Sequence, residues 1–370
     1  MDNLVKEMKQ DNKKVIIWQT EVFNLMEGKP IGGIAVQMYF WAQVFAENGW
    51  TVYSFTEKQK KTVKLDNIIF KPVRKIQQVN FFFQWWRSLK YMLSIRPQIV
   101  IYRGANRHLL PLALFTKMLR IKLVFFSASD VNFEPGKELV GSEFNRKLYH
   151  HSIHYIRYFV TQNQHQHDTL LHHYGKESLT MFNIWGHTPA KGQEELPQGD
   201  VVWVANFRKL KRAEWVIGAA RKLTQYHFVL AGGSRGGSDL AYFEEMRHHA
   251  DGLSNVTFLG GRSFFYTNEL VSHSKVLLCT STFEGFPNTF LQAWSNSLPV
   301  ISTVDPSGII AANGLGEIVA SEEELVVALR HVLDNKGYYK KLCASVADFF
   351  PKNHAAQSCY ERLIKYLQYK

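Results

Sequence analysis

The residue types best suited to chemistry on a polar ligand lie together at Glu284-Gly285-Phe286-Pro287-Asn288-Thr289. This stretch follows the apolar run Val276–Cys279 through Thr280–Phe283, and it opens a helical pattern that carries Gln292 and Trp294. Pro287 suits the first helical turn, where a missing N–H costs nothing. The amides of Asn288 and Thr289 then project unpaired from the helix start, ready for phosphate or sugar oxygens. Glu284, at the strand's end, is placed to accept hydrogen bonds from sugar hydroxyls. The same residues read equally as a loop with an ordinary helix start.

A second stretch stands out over residues 72–96. Phe81–Phe83, Trp85, Trp86, Tyr91 and Met92 sit among Arg74, Lys75, Arg87, Lys90 and Arg96. Three Phe and two Trp within six positions are more than one buried helix face uses. Basic residues beside bulky aromatics suit a membrane surface with anionic headgroups, and 79–96 is expected to form the amphipathic helix that meets it. Core packing with a solvated basic face is the alternative.

The elements that must position these residues follow a repeating rhythm. Short apolar runs at Val15–Trp18, Thr51–Phe55, Gln98–Tyr102, Leu123–Phe126 and Tyr158–Thr161 alternate with helical patterns, the first from Ile34 to Glu47. After the Gly- and Pro-rich stretch 186–199 the rhythm restarts at Val201–Ala205, His227–Ala231, Val256–Leu259, Val276–Cys279 and Val300–Ser302. Helices close the chain at about 321–334, 337–350 and, after Pro351, 354–369. Alternation of this kind implies α/β domains with parallel sheets covered on both faces. The expected division is an N-terminal domain over 1–185, a linker over 186–199, a second domain over 200–350, and a last helix over 351–370 that packs back toward the first domain. Ligands are expected in a crevice at the carboxyl ends of the strands.

A net charge of +12 favours anionic partners. No zinc pattern or RNA-binding aromatic motif supports nucleic acid, which is excluded as a partner. Cys279, Cys343 and Cys359 form no CxxC or disulfide framework, which points to a reducing, cytoplasmic setting. Met1–Lys14 lacks the apolar stretch of a signal peptide, and Lys117, Arg120 and Lys122 interrupt the apolar run 108–126, so no ordinary membrane span is expected. The absence of Asp-x-Asp argues against a carboxylate-held metal, and GxxxxGK[ST], GxGxxG and HExxH are absent too.

The run EGFPNTFLQAWSNSLPVI resembles the signature segment of retaining GT-B glycosyltransferases, the group 1 or family 4 type common in bacterial polysaccharide synthesis. The resemblance covers most of the chain and implies two Rossmann-like domains facing a central cleft, with a nucleotide-sugar donor as substrate and neither cofactor nor metal. Glu284 matches the acidic residue that starts the segment; Gln292 stands where a second Glu is expected to hold the ribose hydroxyls. Gly32-Gly33 resembles the glycine-rich turn that lets amides approach a diphosphate. Asn206 occupies the usual Arg position, Lys211 matches the usual Lys, and Arg208 is placed to supply the guanidinium for a leaving nucleoside diphosphate. A solvated basic loop is the plain alternative. Gly261 and Arg262 fall in the loop beside the nucleotide base. Asp130 stands in a loop where relatives carry a His, and reads equally as a turn residue.

Glu284, Lys211, Arg208 and Asp130 are thus the expected catalytic residues. The donor set is Gly32, Gly33, Asn206, Arg208, Lys211, Gly261, Arg262, Glu284, Gly285, Phe286, Pro287, Asn288, Thr289 and Gln292. The implied reaction is hexosyl transfer to a lipid-linked or glycan acceptor recognised on the N-terminal side. It would take place in the cytoplasm, with the protein peripheral on the inner face of the membrane. Two alternatives stay open. One is a different GT-B activity, such as a nucleotide-sugar epimerase or a glycogen-type synthase; the other, kept open by the departures at Asn206 and Gln292 and by the missing His, is a catalytically inactive GT-B protein that binds a nucleotide-sugar or glycan.

Overall fold

The structure is a computed structural model that describes residues 13–28, 32–57, 59, 61–65, 67–73, 81–137, 140–188, 196–234 and 236–369, with backbone alone at 81–85, 87 and 88. Arg74, Lys75, much of the stretch 186–199, and the side chains of Phe81–Phe83, Trp85 and Arg87 therefore lie outside the described residues. The chain divides into two units. The first runs to Gly186 and takes back the helix Ala356–Tyr369, while the second runs from His187 to Ala355.

The first unit is built on eight described strands: β1 (Lys14–Ile17), β2 (Thr51–Thr56), β3 (Val63–Leu65), β4 (Ile68–Pro72), β5 (Ile99–Arg103), β6 (Lys122–Phe126), β7 (Tyr158–Thr161) and β8 (Leu179–Thr180). Their order across the sheet is β3-β4-β2-β1-β5-β6-β7-β8. Central strands such as β1 and β5 are continuous apolar runs because helices cover both faces. Ile16, Val100, Phe125 and Phe159 are fully buried in that core. One strand departs from the all-parallel expectation. β3 pairs antiparallel with β4, Val63 opposite Phe70, through a tight link in which Asn67 takes a positive φ of 65°. A link this short can only reverse the chain.

The returning helix Ala356–Tyr369 buries Cys359, Leu363 and Leu367, four residues apart, along one face. Tyr360 meets Phe45 edge-on at 5.1 Å and accepts a hydrogen bond from Trp50 Nε1 at 2.8 Å. Lys122 Nζ donates to the Leu367 carbonyl at 2.6 Å.

The second unit holds β9 (Val201–Val204), β10 (Phe228–Ala231), β11 (Val256–Gly260), β12 (Val276–Cys279), β13 (Val300–Ser302) and β14 (Gly316–Ile318), in the order β11-β10-β9-β12-β13-β14, all parallel. Its core centres on Trp203, Phe207, Phe228, Leu230 and Leu278. Gly232 is obligatory, since a Cβ there would lie 1.6 Å from the Ala205 carbonyl oxygen. Pro351 does not separate the last helices as expected but sits inside the helix Lys336–Asn353. It falls in the last turn, where it removes only the bond to the Ala347 carbonyl, and the helix closes with His354 N donating to Phe350 O at 2.9 Å.

Candidate functional site

β9 and β12 are parallel neighbours, with Val201 opposite Val276 and Trp203 opposite Leu278. The loops at their carboxyl ends, 205–212 and 280–287, therefore emerge side by side. Phe207 anchors the first loop, buried against Trp203 at 4.9 Å, Phe258 at 4.7 Å and Phe243 at 5.2 Å. Backbone and side-chain bonds then tie the loops together. Thr282 N donates to Leu210 O at 2.8 Å, and Thr280 Oγ1 donates to Lys211 O at 2.6 Å. Arg212 Nε and Nη2 donate to the carbonyls of Thr280 at 2.6 Å and Ser281 at 3.2 Å.

This framing brings two of the expected catalytic residues into contact. Lys211 Nζ forms an ion pair with Glu284 Oε1, and Ser281 Oγ donates to the same oxygen at 2.8 Å. The side chains of Lys211 and Glu284 are only 18% and 21% exposed, so water screens the pair less than it would on the surface. Arg208 stands apart, about two-fifths exposed, with Nε 3.7 Å from Asp239 Oδ2. Asn206 is exposed at the end of β9.

The remaining donor residues spread over adjacent loops of this unit. Gly261 lies against Gly233, and the guanidinium of Arg262 sits 5.3 Å from the Tyr266 ring. Gly285 is exposed, and a Cβ added there would meet nothing within 4 Å. Phe286 packs against His354 at 5.4 Å and Trp294 at 6.2 Å. Pro287 is not in the first helical turn but precedes it, with ψ of 123°. The seven-residue helix starts at Asn288 and Thr289, both half-buried. Gln292 is 3% exposed, and its Nε2 points to Thr267 Oγ1 at 3.5 Å on the neighbouring helix Phe264–Ser272.

Asp130, Gly32 and Gly33 belong to the first unit. Asp130 Oδ1 accepts from Asn163 Nδ2 at 2.8 Å and Gln166 Nε2 at 2.7 Å, tying its loop to the helix Gln164–Tyr174. Gly32 caps the helix Gly33–Glu47 at φ −83° and ψ 162°, angles open to any residue.

Three features went unread in the sequence. Arg212 takes a left-handed conformation (φ 48°, ψ 53°) with its guanidinium 4.0 Å from the Trp215 ring centroid. Ser281 gives Glu284 its hydroxyl partner. A cavity of about 470 Å³ opens at the carboxyl ends of β1, β5 and β6, lined among others by Trp18, Tyr102, Arg103 and His108. It lies where the strand order runs away from β1 in both directions, the usual ligand position in such sheets. Burial, and to a smaller degree Arg107, pull the His108 imidazole down to about 4, so it is neutral at pH 7.

Residues 198–335 match the family described as Glycosyl transferases group 1. Solved structures align over nearly the whole chain. HepE from Anabaena in complex with UDP-glucose has a TM-score of 0.69 at 14% identity, covering 96% of this chain and 99% of that one. UDP-GlcNAc 2-epimerase from Neisseria meningitidis bound to UDP-GlcNAc gives 0.61 at 12%, covering 96% and 100%. The lipopolysaccharide outer core galactosyltransferase WaaB gives 0.59 at 16%, covering 96% and 99%. A comparison with curated protein sequences finds no match. At these identities the structures establish the fold, which is GT-B; the family match over 198–335 carries the class of activity. Over 198–335 the second unit matches glycosyl transferases group 1, and the chain as a whole has the GT-B fold.

Proposed function

We propose that the chain transfers a hexosyl residue from a nucleotide-sugar to a lipid-linked or glycan acceptor, with retention of configuration and without a metal, in bacterial surface polysaccharide assembly. The observation that carries this reading is the Lys211–Glu284 pair, held at the carboxyl ends of β9 and β12 by cross-tied loops. Lys211 and Arg208 are cations for the leaving diphosphate, where negative charge grows in the transition state. Glu284 accepts hydrogen bonds from the donor sugar. The neighbour solved with UDP-glucose makes UDP-sugars the first donors to try, and the lipopolysaccharide galactosyltransferase points to a surface glycan acceptor. Acceptor recognition is assigned to the first unit.

The helix Phe81–Ile95 supports attachment to an anionic membrane surface from the cytoplasmic side. Met92 and Ile95 face the core, whereas Trp86, Lys90 and Leu93 are exposed on one face, Trp86 at 68%. Among the described residues no helix is long and apolar enough to cross a membrane.

The test is to incubate the protein with UDP- and GDP-sugars, follow nucleotide release, and read the anomeric configuration of the product by NMR. Release of nucleotide with a retained anomer is expected. Nucleotide binding without any turnover would instead favour a catalytically inactive binding protein.

A further inference from the structure

Arg103 ends β5 and lines the cavity of the first unit. Its Nη2 donates to Asn183 Oδ1 at 2.7 Å, while its Nε is sealed from solvent and makes no hydrogen bond, although the residue as a whole keeps some exposure. Asn183 is a neutral acceptor already shared with Gln162 Nε2 at 2.5 Å. Among the described residues Arg103 forms no ion pair, and no Asp or Glu lines the cavity. Burial lowers the guanidinium only to about 10, so it stays charged at pH 7. A guanidinium has five donors, and a charge withdrawn from water without a counter-ion is costly.

The rest of the wall suits a sugar. Trp18 packs edge-on against Phe55 at 4.7 Å, which gives an apolar face. His108 is held neutral, leaving Arg103 as the one charged group among the described residues of the lining. A volume of about 470 Å³ falls within the usual range for small-ligand sites.

We propose that this cavity is an oxyanion subsite in which Arg103 pairs with a carboxylate or phosphate borne by the acceptor sugar. The inference rests on the transferase reading for the word acceptor, and on Arg103 and its surroundings for the word oxyanion.

The experiment is calorimetric titration of the whole protein with glucose, glucuronate and glucose 6-phosphate. Wild type should bind at least one of the two anions about 10- to 100-fold more tightly than glucose, as expected for charge-assisted hydrogen bonds. The preferred anion then identifies the group as carboxylate or phosphate. Arg103→Gln should reduce that anion to the glucose level. Asn183→Asp keeps the hydrogen bond and supplies a counter-charge within the fold, so it should remove the preference even if Arg103→Gln fails to fold. Equal binding of all three sugars, no binding by wild type, or a preference that survives Asn183→Asp would overturn the proposal. UDP and GDP binding by the same wild-type sample are measured alongside. Absence of both with the anion preference intact would remove the transferase reading and leave the subsite; nucleotide binding without the preference would remove the subsite alone.

Discussion

Glu284→Gln keeps the side chain's shape and its capacity to accept from Ser281 while removing its charge, so it separates structure from chemistry at the site. In the fold the carboxylate neutralises Lys211 in a pair about four-fifths buried. A fully exposed pair is worth little, and breaking a fully buried one costs several kcal/mol. The present geometry lies between, at about 1–2 kcal/mol. For a unit of this size that lowers the melting midpoint by roughly 2–8 °C. If Glu284 holds donor hydroxyls in the transition state, the lost contact is worth about 2–4 kcal/mol, which slows turnover about 30- to 1000-fold. Affinity for UDP should move the other way or not at all, because Lys211 is released from its carboxylate and meets phosphate unopposed. The assay combines steady-state nucleotide release, UDP titration and a thermal melt on one preparation. Turnover near wild type in a folded variant would remove Glu284 from the mechanism. A loss of UDP affinity as large as the loss of turnover would show that Glu284 acts only by positioning Lys211.

Lys211→Ala and Arg208→Ala should each weaken UDP binding while barely changing uridine binding; equal losses for both ligands would make the loop structural. Gln292→Glu, if the residue turns to the ribose, should sharpen discrimination between UDP and its 2′-deoxy analogue, and unchanged discrimination would leave Gln292 with the packing role its contact to Thr267 describes. The His108 imidazole is held near 4, below its ordinary value, so between about pH 4 and 6.5 the unfolded chain binds the extra proton and stability rises with pH. Urea unfolding at pH 5 and pH 7 should show a rise of roughly 1–2 kcal/mol from this residue after allowance for its partial exposure, and His108→Asn should flatten it. Binding to anionic liposomes should exceed binding to neutral ones and fall with salt; Trp86→Ala should weaken it at every salt concentration, Lys90→Glu should reduce the salt dependence, and indifference of wild type to all liposomes would end the membrane reading.

Ten of the described strands were legible because each is a short apolar run bounded by polar or glycine-rich turns, as β12 is between Lys275 and Thr280. The other four are β3, β8 and β14, two or three residues long with too few positions for any periodicity, and β4, whose three apolar residues Ile68–Phe70 run straight into Lys71-Pro72. Glu284 and Lys211 were each legible from their place after a strand. Their contact was not, because it depends on β9 pairing directly with β12, with β10 and β11 placed on the far side. Arg212 carries no local mark, since a non-glycine residue at positive φ is held there by tertiary bonds. Arg103 looks in the sequence like the polar end of an apolar strand, and only the surrounding loops turn that end into a cavity wall.

The arrangement of the two loops bears on how a charged ligand could enter. For Lys211 to meet a diphosphate, it must share or leave Glu284, and a loop held in place by that ion pair would move when the pair broke. Here the loops are joined by Thr282 N to Leu210 O, by Thr280 Oγ1 to Lys211 O, and by the Arg212 guanidinium to two carbonyls. None of these bonds involves the ammonium or the carboxylate. Holding Arg212 in the left-handed region costs about 1–2 kcal/mol. Charge-assisted bonds to Thr280 and Ser281 and the Trp215 ring beneath the guanidinium offset that cost. A glycine would adopt the same backbone freely and provide none of these ties. On the proposed reading, the exchange of partners at Lys211 is then a side-chain rotation on a fixed frame, which would keep the cation and the carboxylate positioned for charge that develops in the transition state.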